Sequence, residues 1–137
     1  MEENVLRAIQ SGLFVIEKCL RDILQETRSR SESKNWLLKT RYCDINNDLA
    51  NRLIVEAEEM LREIQELQKT FIIGKYPESI RWHIITSLNQ IWTILNDLTP
   101  DRLLGFGQMK AEENKLLTTH VGRMHEIAEN MRRILSS

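Results

Sequence analysis

The sequence predicts an all-α protein: an antiparallel four-helix bundle of up-down-up-down topology, with a longer connection between its first two helices. Apolar residues recur every three or four positions through four long segments, which is the spacing of one helical face. Hydrophobic residues make up 42% of the 137 residues but aromatic residues only 6%, with five glycines and two prolines. This composition favours helices over strands and their turns. The length suits one domain with one core, over 1–137.

The first helix is predicted over about 2–27. Gly12 lies in a line of small side chains beside its apolar face, and glycine costs roughly 1 kcal/mol in a helix interior. A bulky side chain packed at Gly12 would explain it, and a tolerated glycine is the equal alternative. Phe14 lies on the otherwise polar side of the helix and is therefore a candidate interface residue. The predicted core residues of this helix are Leu6, Ile9, Leu13, Ile16, Leu20 and Ile23.

The second helix is predicted over about 44–73. Asp44 is a candidate cap for the free backbone N–H groups at its start, and Gly74 is expected to stop it. Its apolar residues are spaced like one side of a coiled coil. They are Leu49, Leu53, Ala57, Met60, Ile64, Leu67 and Phe71.

The third helix is predicted over about 77–98, beginning at Pro77. It carries no Asp, Glu, Lys or Arg from Trp82 to Asn96, although 28% of the chain is charged. Its predicted core residues are Ile80, Ile84, Leu88, Ile91, Leu95 and Leu98. A second apolar face, formed by Trp82, Ile85 and Trp92, is expected to contact another chain or the small residues of the first helix.

The fourth helix is predicted over about 107–135, after a break at Gly105-Phe106-Gly107. Its predicted core residues are Leu117, Val121, Met124, Ala128, Met131 and Leu135. His120 is flanked by core positions and is expected to be buried or at a boundary, whereas His125 is expected at the surface. The two are five residues apart, about 140° around the helix, so they are not expected to bind one metal together.

The connection over 28–43 is the one basic segment, with five cations against a single acid, Glu32. Cations supply affinity for a phosphate backbone and aromatic faces stack on bases, so this segment is a candidate nucleic-acid site. Its residues are Arg28, Arg30, Lys34, Trp36, Lys39, Arg41 and Tyr42. The alternative is a solvated connection in which Trp36, Leu37 and Leu38 pack against the bundle as a lid.

Four glutamates follow one side of the second helix: Glu56, Glu59, Glu63 and Glu66. Clustered carboxylates can bind Mg²⁺ and let it bridge phosphates. The spacing resembles half of the metal site of the all-helical nucleotide pyrophosphohydrolases, whose next helix carries Glu-x-x-Asp. That second half is missing here, so the alternative is a stripe that is solvated or paired with Lys and Arg.

No residues match a catalytic arrangement. No serine lies in a Gly-x-Ser-x-Gly turn, and Cys19 and Cys43 match no metal or redox spacing. We therefore expect no catalysis and no cofactor. The amino terminus, Met-Glu-Glu, differs from a signal peptide and no apolar run reaches the roughly 18 residues of a membrane span, so we expect a cytoplasmic protein.

The apolar residues beyond one stripe per helix predict the function. A monomeric bundle buries one stripe per helix, whereas the third helix has two. We expect a protein-protein interaction or adaptor module, as a homodimer or with a helical protein partner. The alternatives are a nucleic-acid-binding accessory protein using 28–43 and a Mg²⁺-dependent nucleotide phosphohydrolase using the glutamates of the second helix.

Overall fold

The computed structural model of the chain describes residues 1–33 and 36–137, and every regular element in this part is helical. The helices are α1 (Glu3–Arg28), α2 (Asn47–Phe71), α3 (Ile80–Asp97), α4 (Pro100–Leu103) and α5 (Ala111–Leu135), with a 3₁₀ turn at Leu104–Phe106. The all-α prediction is confirmed. None of the described helices combines the length and the apolar character that a membrane crossing requires.

The chain divides into two compact units, Met1–Tyr76 (unit 1) and Pro77–Ser137 (unit 2). α1 pairs with α2 in unit 1, and α3 pairs with α5 in unit 2. The helices thus pack as two pairs. The four-helix, up-down-up-down arrangement and the coiled-coil packing of α2 stay predictions.

Side-chain caps determine where two helices begin. α2 begins at Asn47 and not at Asp44, because the Asn46 side chain accepts a hydrogen bond from Leu49 N at 2.8 Å. α3 begins at Ile80, three residues after Pro77, because Ser79 Oγ accepts from Trp82 N at 3.2 Å. In both cases a short polar side chain nearer the apolar repeat supplies the cap.

The core of unit 1 lies where α1 and α2 meet. Leu20, Leu24 and Ala57 are buried together, and Ile54, Leu61 and Ile64 pack against them. The helices are antiparallel, because contacts join the start of α1 to the end of α2. Gln10 Nε2 donates to the carbonyl of Gly74 at 2.8 Å, whereas Arg28 at the end of α1 pairs with Glu58.

The core of unit 2 is smaller. Leu88 and Leu95 of α3 are buried, as are Val121 and Ala128 of α5. These helices are antiparallel too, because Trp92 contacts His125 while Asn89, one turn earlier, accepts a hydrogen bond from Arg132 at 2.9 Å.

Only part of each predicted core line is buried. In α2, Ala57 and Ile64 pack toward α1, but five of the seven predicted core residues stay exposed: Leu49, Leu53, Met60, Leu67 and Phe71. A helical apolar face at least about 100° wide is broader than the contact that one antiparallel neighbour makes. The part of the face that turns away from that neighbour is left open.

Candidate functional site

Unit 1 carries an open apolar surface on one side of its helix pair. In each helix the exposed apolar residues lie about a quarter-turn around the helix axis from the residues that contact the other helix. Viewed from the amino end, the direction of this rotation is the same in both helices. Because the helices are antiparallel, both rows come to one side of the pair. These residues, the unit 1 apolar face, are 38–50% exposed: Val5, Ile16 and Ile23 of α1, with Leu49, Leu53, Met60, Leu67 and Phe71 of α2.

Unit 2 carries a second such surface, by the same geometry. Its residues, the unit 2 apolar face, are 40–78% exposed: Ile80, Ile84, Ile91 and Ile94 of α3, with Met124, Ile127, Met131 and Ile134 of α5. α3 has no charged residue between Arg81 and Asp97, so no charge interrupts its part of the face. An exposed, contiguous group of aliphatic side chains is typical of an association surface.

The side of α3 that packs on α5 takes in residues of both predicted faces. Leu88 and Leu95 of the predicted core line are buried, but Ile80, Ile84 and Ile91 of the same line are exposed. The side toward α5 instead includes Trp92, whose ring meets the His125 ring edge-on at 4.6 Å between centroids and lies 5.6 Å from the Arg132 guanidinium. These contacts within unit 2 turn the isoleucine row outward.

The four predicted interface residues do not form one surface. Ile85 and Trp92 are half-buried on the α5 side of α3, whereas Trp82 is exposed. Phe14, in unit 1, stacks on Tyr76 with ring centroids 4.6 Å apart. Sequence reasoning missed the isoleucines of α3 as exposed residues. The charge-free stretch indicates two apolar faces but carries no signal for which one stays open.

A cleft of about 640 Å³ lies in unit 1 between α1, α2 and residues 73–76. Its apolar lining includes Leu13, Leu61 and Ile73, and polar side chains stand around it. Two of these are already paired, because Arg21 contacts Glu17 at 3.1 Å and Arg62 contacts Glu59 at 2.6 Å.

Most described cations of the basic connection are committed to contacts within unit 1. Arg28 pairs with Glu58, and Arg30 donates to Thr27 O and Asn47 Oδ1, both at 2.8 Å. Arg41, with 14% of its side chain exposed, donates to Glu26 O at 2.8 Å and lies 3.6 Å from the Glu26 carboxylate. These contacts hold the connection against the end of α1, where free carbonyls favour cations.

The tip of the connection, residues 36–38, is exposed to solvent. Leu37 and Leu38 are fully exposed, and Trp36 and Tyr42 are exposed as well, so the predicted lid of Trp36, Leu37 and Leu38 is wrong. Lys39 Nζ lies 4.6 Å from the centre of the Trp36 ring. Lys34, also predicted for nucleic-acid binding, lies outside the described residues.

The glutamate stripe of α2 is partly paired along its own helix. Glu59 contacts Arg62, and this hydrogen bond is the main reason that the pKa of Arg62 is raised above its usual value. Glu66 contacts Lys69 at 3.7 Å. Within the described residues no three His, Cys, Asp or Glu side chains are grouped so as to hold a metal ion. This arrangement favours a solvated, internally paired stripe over the Mg²⁺ site that Glu56, Glu59, Glu63 and Glu66 suggest.

The histidine prediction is reversed. His125 is half-buried against Trp92, whereas His120 is exposed. Val121, His125 and Ala128 share the side of α5 that packs on α3, and His120 lies about 140° from His125 around the helix.

Comparison with protein-family models, curated protein sequences and solved structures gives no match for this chain.

Proposed function

We propose that this protein is a non-catalytic helical association module, and that its partner is a second copy of the same chain, bound through the unit 2 apolar face. The observation that supports this is the row of exposed isoleucines on a helix without charges from Trp82 to Asn96. Exposed aliphatic side chains at these positions gain free energy when a second apolar surface removes them from water.

Electrostatics favour the unit 2 face over the unit 1 face for self-association. Glu56 and Glu63 lie next to the exposed row of α2, so a two-fold interface there would place glutamates of both copies along one rim. On α3 the corresponding border positions are His83, Ser87 and Gln90, of which His83 lies 3.5 Å from the Glu78 carboxylate and the other two are neutral. An identical face can therefore cover the α3 part of this surface without placing two rows of glutamates along one rim.

The size of the unit 2 apolar face sets the expected affinity. α3 has 18 residues and is about 27 Å long, and two adjacent helices are about 20 Å wide, so the face covers about 500 Å². Two such faces bury about 1,000 Å², at the lower limit for a specific interface. We therefore expect a dimer that dissociates in the micromolar range. Two helices of each copy would form a four-helix bundle at this interface.

The cytoplasmic location is part of the same proposal. Cys19 and Cys43 are both free and exposed, which suits a compartment that keeps thiols reduced.

A charge placed on the open isoleucine row tests the proposal. Ile91→Glu should convert the dimer to a folded monomer, because the new carboxylate would be buried only in the dimer. Thr93→Glu is the matched control: it replaces a β-branched residue on the same helix, but one that lies away from both the isoleucine row and α5. It should leave the dimer intact. Light scattering gives the mass, and circular dichroism gives the helix content.

Two outcomes contradict the proposal. A parent protein that is monomeric up to about 100 μM, well above the expected dissociation constant, would rule out self-association. If Ile91→Glu then also loses its helix content, the single-chain four-helix bundle predicted from the sequence replaces the dimer, because the isoleucine row would be needed for folding itself. A dimer unaffected by Ile91→Glu would show that another surface associates.

A further inference from the structure

We propose that the tip of the connection between α1 and α2 binds peripherally to anionic lipid surfaces, with Trp36, Leu37 and Leu38 entering the membrane interface. The inference is independent of the proposed dimer, because it uses a different surface. It rests on the juxtaposition of three exposed apolar side chains with a lysine, at a point where the described chain has no regular secondary structure.

The leucines are the unusual feature. Leu37 and Leu38 are adjacent and fully exposed, so neither contributes to the core of unit 1. Trp36, directly before them, is exposed too. Leucine side chains reach the boundary of the acyl chains when a peripheral segment lies in a bilayer, and tryptophan is enriched at the level of the headgroups. The three residues thus have the chemistry of an interfacial anchor.

Positive charge lies beside the anchor. Lys39 Nζ stands over the ring of Trp36, 4.6 Å from its centre. Lys34 adds a further charge in the sequence. A cation next to an apolar tip, in a segment (28–43) whose sequence carries five cations against one acid, favours lipids with negatively charged headgroups. Because the whole chain has a net charge of −1, such attraction must come from this local segment.

The same observations favour a membrane over a nucleic acid. A single strand would use Trp36 for stacking and cations for its phosphates, but aliphatic side chains have no face on which a base stacks. Arg28 and Arg41, two of the cations that a phosphate contact would need, are paired with Glu58 and Glu26. A bilayer makes use of both leucines and requires no complementary cleft.

Vesicle flotation with the full chain tests the proposal. One set of vesicles contains phosphatidylcholine alone. The other contains phosphatidylcholine with about 30 to 40% phosphatidylglycerol as the anionic lipid. We expect the parent to float with the anionic vesicles at low salt and to be released as the salt concentration rises. Leu37→Ser with Leu38→Ser should lower the affinity about tenfold, since the apolar contribution is lost.

A matched control removes an equally exposed apolar side chain elsewhere. Phe106→Ser, in the 3₁₀ turn of unit 2, should leave flotation unchanged. A parent that does not float with anionic vesicles overturns the proposal, and so does a double serine variant that binds these vesicles with unchanged affinity. Fluorescence titration with a single-stranded oligonucleotide separates the alternative: binding there, without flotation, would assign the tip to nucleic acid. A monomeric parent would refute the dimer but would leave the flotation result unaffected.

Discussion

Ile72 ends α2 in a left-handed backbone conformation, with a φ of 51°. A β-branched residue is disfavoured there, because its Cβ crowds the following carbonyl. Ile73 N donates to Gln68 O at 2.9 Å and its side chain is buried, whereas Ile72 is exposed. The left-handed conformation of Ile72 therefore allows the hydrogen bond at the helix end and the burial of Ile73. The side chain of Ile72 itself contributes little packing.

Ile72→Gly should raise the free energy of unfolding by about 1 kcal/mol, because glycine adopts this conformation without strain. Urea denaturation measures the change. Lys69→Gly, in the last turn of the same helix, is the control and should lower stability by about 1 kcal/mol, since glycine is unfavourable inside a helix. Equal destabilisation by both changes would mean that Ile72 does not hold the left-handed conformation in solution.

Arg41 differs from the other described cations of the connection. Its guanidinium donates to Glu26 O and Ser29 Oγ, and its Nη1 atom is buried with no hydrogen-bond partner among the described residues. The sequence indicates Lys39 and Arg41 as equivalent cations for a phosphate backbone, because spacing alone does not reveal that the chain folds back onto the end of α1. Arg41 is largely buried and Lys39 is exposed, so the two cations are not equivalent.

Arg41→Ala should lower the free energy of unfolding by about 1–3 kcal/mol, because the carbonyl and carboxylate of Glu26 lose a charged donor. Lys39→Ala, at an exposed position nearby, should change it by less than about 0.5 kcal/mol. Thermal unfolding followed by circular dichroism distinguishes the two. Matching effects would show that the connection does not pack on α1.

At the scale of the helices, α3 shows both what the sequence predicts and what it omits. Its apolar spacing and lack of charge correctly predict a helix with two apolar faces. Leu88 and Leu95 lie between these faces, so a modest rotation of the helix exchanges the buried row for the exposed one. The rotation observed brings Trp92 against His125, and this contact joins residues 33 positions apart that no local pattern relates.

The two tryptophans of α3 offer a direct measurement of that rotation. Trp92→Ala should lower the free energy of unfolding by about 2–4 kcal/mol, because it removes a side chain packed against α5. Trp82→Ala should change it by less than about 0.5 kcal/mol, because Trp82 is exposed. Urea denaturation of both variants is the test. A larger loss for Trp82 would reverse the orientation of α3.

Helix boundaries show a similar limit of prediction. The four long helices are found where the apolar repeats predict them, but α2, α3 and α5 each begin three or four residues later than expected. Local hydrogen bonds decide this. Before α5, Lys110 N donates to the Glu113 carboxylate at 2.9 Å, whereas before α2 and α3 the side chains of Asn46 and Ser79 accept from backbone N–H groups of the first turn.

For the whole molecule, the apolar patterning predicts how much surface must be covered but not what covers it. Each helix pair buries only part of its apolar residues. The exposed apolar row can be covered equally well by a helix of the same chain or by one of another copy. The all-α fold could be predicted, because it depends only on the helical spacing of the apolar residues. The choice between a single-chain bundle and a dimer depends on relative free energies that no local pattern encodes.

Sedimentation velocity of the parent protein from about 1 to 100 μM tests the central claim most directly, because this range spans the dissociation constant expected for an interface of about 1,000 Å². Association through the unit 2 apolar face predicts a weight-average mass that rises with concentration from the 16.2 kDa of one chain toward twice that value. A mass that stays at 16.2 kDa over the whole range would contradict it.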